Sequence, residues 1–306
     1  MTLYGVTGHP VLHSRSPQIF NRLFRSRGVD AVYTRLAART GGEALSLARR
    51  MGVAGLNVTS PFKDEMYRLA SARDGRSSRL LASNAVVLGT STAEVFNTDP
   101  DGVHHALAVR TIRARGERVV VLGSGGAARA AAHALVEGGA RVVVTSRTAE
   151  RAADAAAATG CDWSELKELP DLLSHASGLV SCLPAGIDLV EESWLRPGTW
   201  VLDANYHRPA LVPKARRRGC IVVDGLDWLA GQAARSYRVL VDRRQGSEDG
   251  AERSADPLAG RWRGLHAPGR SDGSRGAGAR AQDGRGWPER HLAVQRRDVP
   301  PGLSPR

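Results

Sequence analysis

The stretch that most constrains this chain is Val119-Val-Val-Leu122, apolar at every position, followed at once by Gly123-Ser-Gly-Gly-Ala-Ala128 and an alanine-rich segment ending at Glu137. A strand with one face in water alternates apolar and polar residues. One that is apolar throughout is covered on both faces, which calls for helices on both sides of a parallel sheet. Glycine at 123 permits a tight turn, Gly125 lets backbone N–H groups approach a pyrophosphate, and the small Ala128 lets helix and strand pack closely. The N-terminus of the helix that opens here adds positive potential for phosphates. A second apolar run at 142–145, a helical stretch at 149–158 and strand candidates at 179–182, 200–203 and 221–223 extend the alternation. Glycines in that strand-loop-helix setting mark a Rossmann-type dinucleotide-binding domain.

The end of the second apolar run bears on which dinucleotide is bound. An NAD site usually carries Asp or Glu there for the ribose hydroxyls, whereas this chain has Thr145-Ser146-Arg147-Thr148 and then Arg151. A guanidinium matches the 2′-phosphate of NADP in charge and fork geometry. Arginine is abundant throughout, so a single one here would mean little. Two, with no carboxylate, point to NADP as cofactor. The contacts expected to hold it are Gly123, Ser124, Gly125, Gly126, Ala127, Ala128, Ser146, Arg147, Thr148 and Arg151.

Upstream, strand candidates at 3–7, 31–36, 56–59, 85–88 and 94–97 are interleaved with helix candidates at 18–27, 43–50 and 63–70. That order predicts a second, mainly parallel sheet. The fold class expected is therefore α/β. It comprises an N-terminal mainly parallel α/β domain over 1–102 and the dinucleotide-binding domain over 103–225, entered by a helix-like bridge at 103–115. A closing helix over 226–241 is placed to return to the first domain.

From residue 242 to 306 the character changes to Arg, Gly, Ser, Pro and Asp with almost no apolar periodicity. Such a segment buries too little surface to offset its ordering entropy, so a disordered tail is expected. A shifted reading frame of GC-rich DNA would look the same.

The chain has 306 residues, enough for two ordinary cores, and a formal net charge of +12. Only Lys63, Lys167 and Lys214 are lysines. Nearly all the positive charge is thus arginine, as coding-DNA composition alone would produce. The tail carries 13 arginines against nine acidic residues. That excess is small for a nucleic-acid grip, and no nucleic-acid partner is expected. Cys161, Cys182 and Cys220 show no metal-ligand spacing and leave one unpaired in any pairing. A reduced, metal-free protein follows. With no signal-like start and no apolar run of about 20 residues, a cytoplasmic, membrane-free protein is expected, as monomer or homodimer.

Four polar clusters lie at predicted strand ends, where an open α/β sheet forms its ligand crevice. They are His13-Ser-Arg-Ser-Pro17, Asn57-Val-Thr-Ser-Pro-Phe-Lys63, Ser83-Asn84 and Asn97-Thr-Asp-Pro-Asp-Gly102. Followed by the glycine loop, by Ser146-Arg-Thr148 with Arg151, and by Asp224-Gly225-Leu226 with Gly231-Gln-Ala233, they resemble the shikimate dehydrogenase family over residues 3 to about 240. The resemblance implies an NADP-dependent oxidoreductase acting on CH–OH, reversibly reducing 3-dehydroshikimate to shikimate in the chorismate route to aromatic amino acids. It assigns Ser14 and Ser16 to the substrate carboxylate. Thr59, Asn84, Asp99, Tyr206 and Gln232 become further substrate contacts, Gly225 joins the cofactor contacts, and Lys63 and Asp99 form the catalytic pair.

The chemistry asks for the pair independently, because hydride arriving at a ketone builds negative charge on oxygen and a lysine beside a carboxylate can answer it. A lysine in a chain that otherwise uses arginine suggests that a guanidinium, which keeps its proton, would fail there.

The chain departs from the family pattern in several places. Phe20 stands where a histidine is usual, Ser146 where an asparagine is, and Trp228 where a methionine packs beside the nicotinamide. An extra residue in Asn97-Thr-Asp99-Pro-Asp101-Gly102 leaves Asp99 and Asp101 both eligible, with Asn97-Thr98 fixing the register on Asp99. Rival readings are a quinate/shikimate dehydrogenase or related hydroxy-acid dehydrogenase, a methylene-tetrahydrofolate-type two-domain dehydrogenase, and a nucleic-acid-binding protein with an inert dehydrogenase body.

Overall fold

A computed structural model describes residues 1–242, so the expectation for the tail lies outside the described residues. The chain runs β1 (Thr2–Gly8), α1 (Ser16–Arg27), β2 (Ala31–Ala37), α2 (Gly41–Arg50), β3 (Val53–Val58), α3 (Lys63–Leu69), β4 (Ala72–Arg73), α4 (Gly75–Leu80), β5 (Ala85–Leu88), β6 (Ala93–Phe96) and α5 (Asp99–Val109). It continues with β7 (Arg118–Leu122), α6 (Gly126–Glu137), β8 (Arg141–Ser146), α7 (Ala149–Thr159), β9 (Asp162–Glu165), α8 (Leu169–Ser174), β10 (Gly178–Ser181), β11 (Trp200–Asp203), α9 (Leu211–Arg217), β12 (Ile221–Val223) and α10 (Gly225–Leu240).

The second half of the chain forms a six-stranded sheet in the order β12-β11-β10-β7-β8-β9, with every pair parallel. Its central runs are apolar throughout because both faces are covered. Val119, Val121, Val142 and Val144 pack with Ala128, Ala131, Leu135 and Ala152 of α6 and α7. Val120, Leu122 and Val143 face the other way, toward Leu169, Leu172, Leu211 and Ala215 of α8 and α9. Each such buried valine contributes about 1.5–3 kcal/mol relative to exposure.

The first half forms a sheet in the order β2-β1-β3-β5-β6-β4. One strand, β5, runs antiparallel to both neighbours. That reversal explains why Ser83-Asn84 precedes its strand while the other polar clusters follow theirs: all of them reach the same edge.

Two helices join the halves. α5 begins at Asp99, earlier than the expected bridge at 103–115, and ends at Val109; Pro100 fits its first turn, where a missing N–H costs nothing. α10 returns to the first sheet, with Ser236 and Gln232 bonded to Asn57 and Asn84 and Tyr237 stacked near Phe20 and tilted against Phe24. Phe20, where the family resemblance implied a histidine, is thus a core residue that also stacks on Tyr33 at 4.3 Å.

Close contact between α5 and α10 depends on glycine. A methyl on Gly102 would lie 2.5 Å from the Trp228 carbonyl oxygen, and one on Gly231 would lie 2.9 Å from the Gly102 Cα. The Trp228 indole fills the space over Gly102 and belongs to the core. Gly102→Val is predicted to lower stability by about 1–3 kcal/mol through overpacking. A reduced urea midpoint at unchanged slope would show this, and an unshifted midpoint would contradict it.

Candidate active site

Lys63 opens α3 and Asp99 opens α5, so two helix starts bring their first side chains together at the carboxyl edge of the first sheet. The Lys63 ammonium donates to Asp99 Oδ2. Their side chains are 14% and 2% exposed, so the pair is nearly withdrawn from water. The other carboxylate oxygen, Asp99 Oδ1, accepts from Asn84 Nδ2 at 2.9 Å. Asp101 turns the other way, to Arg76 at 2.8 Å, so Asp99 alone of the two acids meets the lysine.

Asn84 is the node of this arrangement. The Thr98 backbone N–H donates to its Oδ1 at 2.7 Å, which fixes which end of the amide points where. Its Nδ2 then has Asp99 Oδ1, Gln232 Oε1 at 2.9 Å and Thr98 Oγ1 at 3.0 Å within reach. Behind it, Asn57 Nδ2 donates to the Asn84 carbonyl at 3.1 Å and to Ser236 Oγ at 2.8 Å, and Tyr33 donates to Asn57 Oδ1 at 2.7 Å. Burial holds the Tyr33 hydroxyl well above the ordinary phenol range, so it stays a donor.

At the start of α1 the Ser14 and Ser16 hydroxyls lie 3.3 Å apart. The Tyr206 hydroxyl reaches this corner from the loop after β11 and accepts from the Arg15 N–H at 3.4 Å. Arg35 holds the corner from β2, its Nη2 donating to the Ser14 carbonyl at 2.5 Å. Thr59 stands half-buried at the end of β3, and its side chain packs close to Gly8.

The glycine loop adjoins the Lys63 helix. Gly123 has φ +122°, a conformation that favours glycine, and a methyl there would press 3.3 Å from the Cys182 carbonyl. A methyl on Gly126 would lie 3.4 Å from Lys63 Cβ and 3.1 Å from Ala82 Cβ, so α6 begins directly against the Lys63 helix. Gly125, by contrast, faces open space. It lies beside the switch point between β7 and β10, where a doubly wound sheet binds its ligand. Cys182, at the end of β10, has its thiol pushed far up by burial and then by Asp203, which keeps it protonated. Arg147 and Arg151 are exposed and make no ion pair among the described residues. Ser146 is buried and donates to the Thr148 carbonyl at 2.8 Å, bracing that turn. Gly225, at the start of α10, sits too close to the Asp203 carbonyl for any side chain.

Sequence reasoning missed Arg129. From α6 it donates to the Leu80 carbonyl at 2.6 Å, to Ser124 at 3.1 Å and to Asp64 at 2.6 Å, tying the glycine loop to the first half of the chain. Its signal was a lone charge inside Gly126-Ala-Ala-Arg-Ala-Ala-Ala.

The family model described as the shikimate dehydrogenase substrate binding domain matches residues 6–86, and that described as shikimate / quinate 5-dehydrogenase matches residues 106–199. Shikimate dehydrogenase (NADP(+)) of Moorella thermoacetica is 35% identical over 260 residues, covering 79% of this chain and 88% of the relative. The chain belongs to the shikimate dehydrogenase family. The enzyme of the same name from an Anaeromyxobacter species is 37% identical over 78% of this chain and 90% of its own length. Among solved structures, Thermus thermophilus shikimate 5-dehydrogenase, in complex with NADP(H) and shikimate, gives a TM-score of 0.71 at 29% identity, covering 79% of this chain and 94% of that one. A Corynebacterium glutamicum quinate dehydrogenase in complex with NAD gives 0.69 at 27% identity over 79% and 94%.

Replacing Asn84 strips Asp99 and Gln232 of a shared donor in a buried setting. Asn84→Leu is predicted to cost about 2–4 kcal/mol of stability, measured by chemical denaturation. A loss too small to measure would mean that water replaces the amide.

Proposed function

We propose that this protein is an NADP-dependent shikimate dehydrogenase, interconverting 3-dehydroshikimate and shikimate in aromatic amino-acid biosynthesis. The observation that carries the reading is the Lys63–Asp99 pair, nearly dehydrated and packed against the start of the dinucleotide helix at Gly126. Residues 1–102 hold the substrate, 103–225 hold the cofactor, and the helix over 226–241 closes the first domain by bonding to Asn57 and Asn84. The free cysteines fit a reducing cytoplasm.

The substrate is an anionic ring with neighbouring hydroxyls. Ser14, Ser16 and the Tyr206 hydroxyl offer donors to its carboxylate, and the Arg35 guanidinium beside Ser14 adds favourable potential. Thr59, Asn84 and Gln232 face the hydroxyls, and Asp99 accepts from the hydroxyl next to the reacting carbon. When bound, NADP supplies or accepts the hydride. In the reducing direction Lys63 gives its proton to the oxygen as negative charge builds there, and Asp99 keeps the ammonium aimed at it. In the oxidising direction the same proton returns to Lys63.

The cofactor cradle fits NADP on this chain's own residues. Gly125 leaves room for a pyrophosphate above the N-terminus of α6, and Arg147 and Arg151, without an ion pair among the described residues, suit a 2′-phosphate. Gly125→Val fills only that open space. It is therefore expected to fold with unchanged stability and to lose NADP binding, followed by fluorescence titration; binding retained at wild-type strength would move the cofactor elsewhere.

The test of the reading is absorbance at the nicotinamide band with shikimate and NADP, then with NAD and with quinate. NADP reduction by shikimate is expected to be the fastest combination, and inactivity with shikimate would sink the reading. Lys63→Ala should lower turnover by about 10²–10⁴-fold while substrate still binds.

A further inference from the structure

Two imidazoles from the two halves of the chain meet beside the Ser14–Tyr206 corner. His13 lies between β1 and α1, one residue before Ser14. His207 lies between β11 and α9, one residue after Tyr206. Both are exposed, and their rings stack with centroids 5.4 Å apart and planes inclined by 24°. The same two loops touch again where the Arg15 N–H meets the Tyr206 hydroxyl. The stack therefore adjoins, on both sides, the groups assigned above to the substrate carboxylate.

The charges around this corner are one-sided. Arg35 enters from β2, donating through Nε at 3.2 Å and Nη2 at 2.5 Å to the Ser14 carbonyl and reaching Gln18 Oε1 at 3.4 Å. Arg15 and Arg208 flank the two imidazoles in sequence. None of His13, His207, Arg15, Arg35 and Arg208 has an ion pair among the described residues. With no anion bound, burial first, then His207 and then Arg35 hold His13 below the ordinary imidazole value, so His13 is favoured neutral. What the corner lacks is a negative charge.

We propose that the His13–His207 stack is a proton-linked recognition element for the substrate carboxylate, taking up one proton as the anion settles on Ser14 and Ser16; this rests on the dehydrogenase reading. The arriving carboxylate offsets Arg35, which removes one cause that kept the ring neutral and adds a partner for the imidazolium. Repulsion between the two rings disfavours a second proton on the stack.

The sign of the pH dependence follows. Substrate binding raises the proton affinity of the stack, so the extra affinity is complete below the pH at which the free stack titrates. It is lost as the pH rises through the value that the stack has with substrate bound. Each unit of that rise is about tenfold in substrate affinity.

The test is calorimetric titration of shikimate into the full chain saturated with NADPH, a combination that cannot turn over. It is run at about pH 6.5, where an ordinary imidazole is half protonated, in two buffers of different ionisation enthalpy. Uptake of a sizeable fraction of a proton per shikimate is expected, with affinity falling about tenfold between about pH 5.5 and pH 8. The H13N/H207N double variant should bind with no proton uptake and little pH dependence. Wild-type binding without proton uptake, or uptake that persists in the double variant, would overturn the proposal and leave the dehydrogenase reading standing. Failure of shikimate to bind at all would sink that reading itself.

Discussion

An ammonium and a carboxylate taken almost wholly out of water are stable only if each finds its partner and the remaining lone pairs are bonded. In this protein that condition falls on Lys63 and Asp99, and the buried polar framework around them is arranged to meet it. Asn84 fills the second carboxylate oxygen, Thr98 orients Asn84, and Asn57, Ser236 and Gln232 bond the backbone and side chains that hold these in place. The pair contributes little net stability by itself. It sets a geometry that would be costly to leave half-made.

The network also explains why the final helix must come home. Ser236 and Gln232 belong to α10, while Asn57, Asn84 and Thr98 belong to the first sheet and its edge. α10 reaches them by packing on α5 across Gly102 and Gly231, where only glycine fits. On the other side, Arg129 ties the glycine loop to Asp64 and to the end of α4. The glycine loop and the Lys63–Asp99 pair are thus fixed to each other by side chains rather than by chain connectivity.

Much of this was legible in the sequence for identifiable reasons. The valine runs reveal the second sheet because both of its faces are buried, and the glycine loop is local chemistry. β9 was hidden because it is a polar edge strand, Asp162-Trp-Ser-Glu165, largely exposed. α4, α8 and α9, of six or seven residues each, were not legible, although α3, equally short, was. The reversal of β5 was not legible either, since alternation of strands and helices carries no direction for a strand reached by a short loop. At the site, Lys63, Asp99 and Asn84 stood out as polar residues at strand ends. Arg129, Asn57 as a bridge and Ser236 did not, because they make contacts with residues as far as 65 and 179 positions away.

The central claim is that Lys63 serves as a proton carrier held by Asp99, and not merely as a fixed positive charge. Lys63→Arg separates the two, since a guanidinium keeps the ion pair but holds its proton. The decisive measurement is the rate of shikimate oxidation by this variant beside its calorimetric affinity for shikimate. The account predicts affinity close to that of the natural chain with turnover nearly abolished. Turnover near the natural rate would contradict it, because charge alone would then suffice.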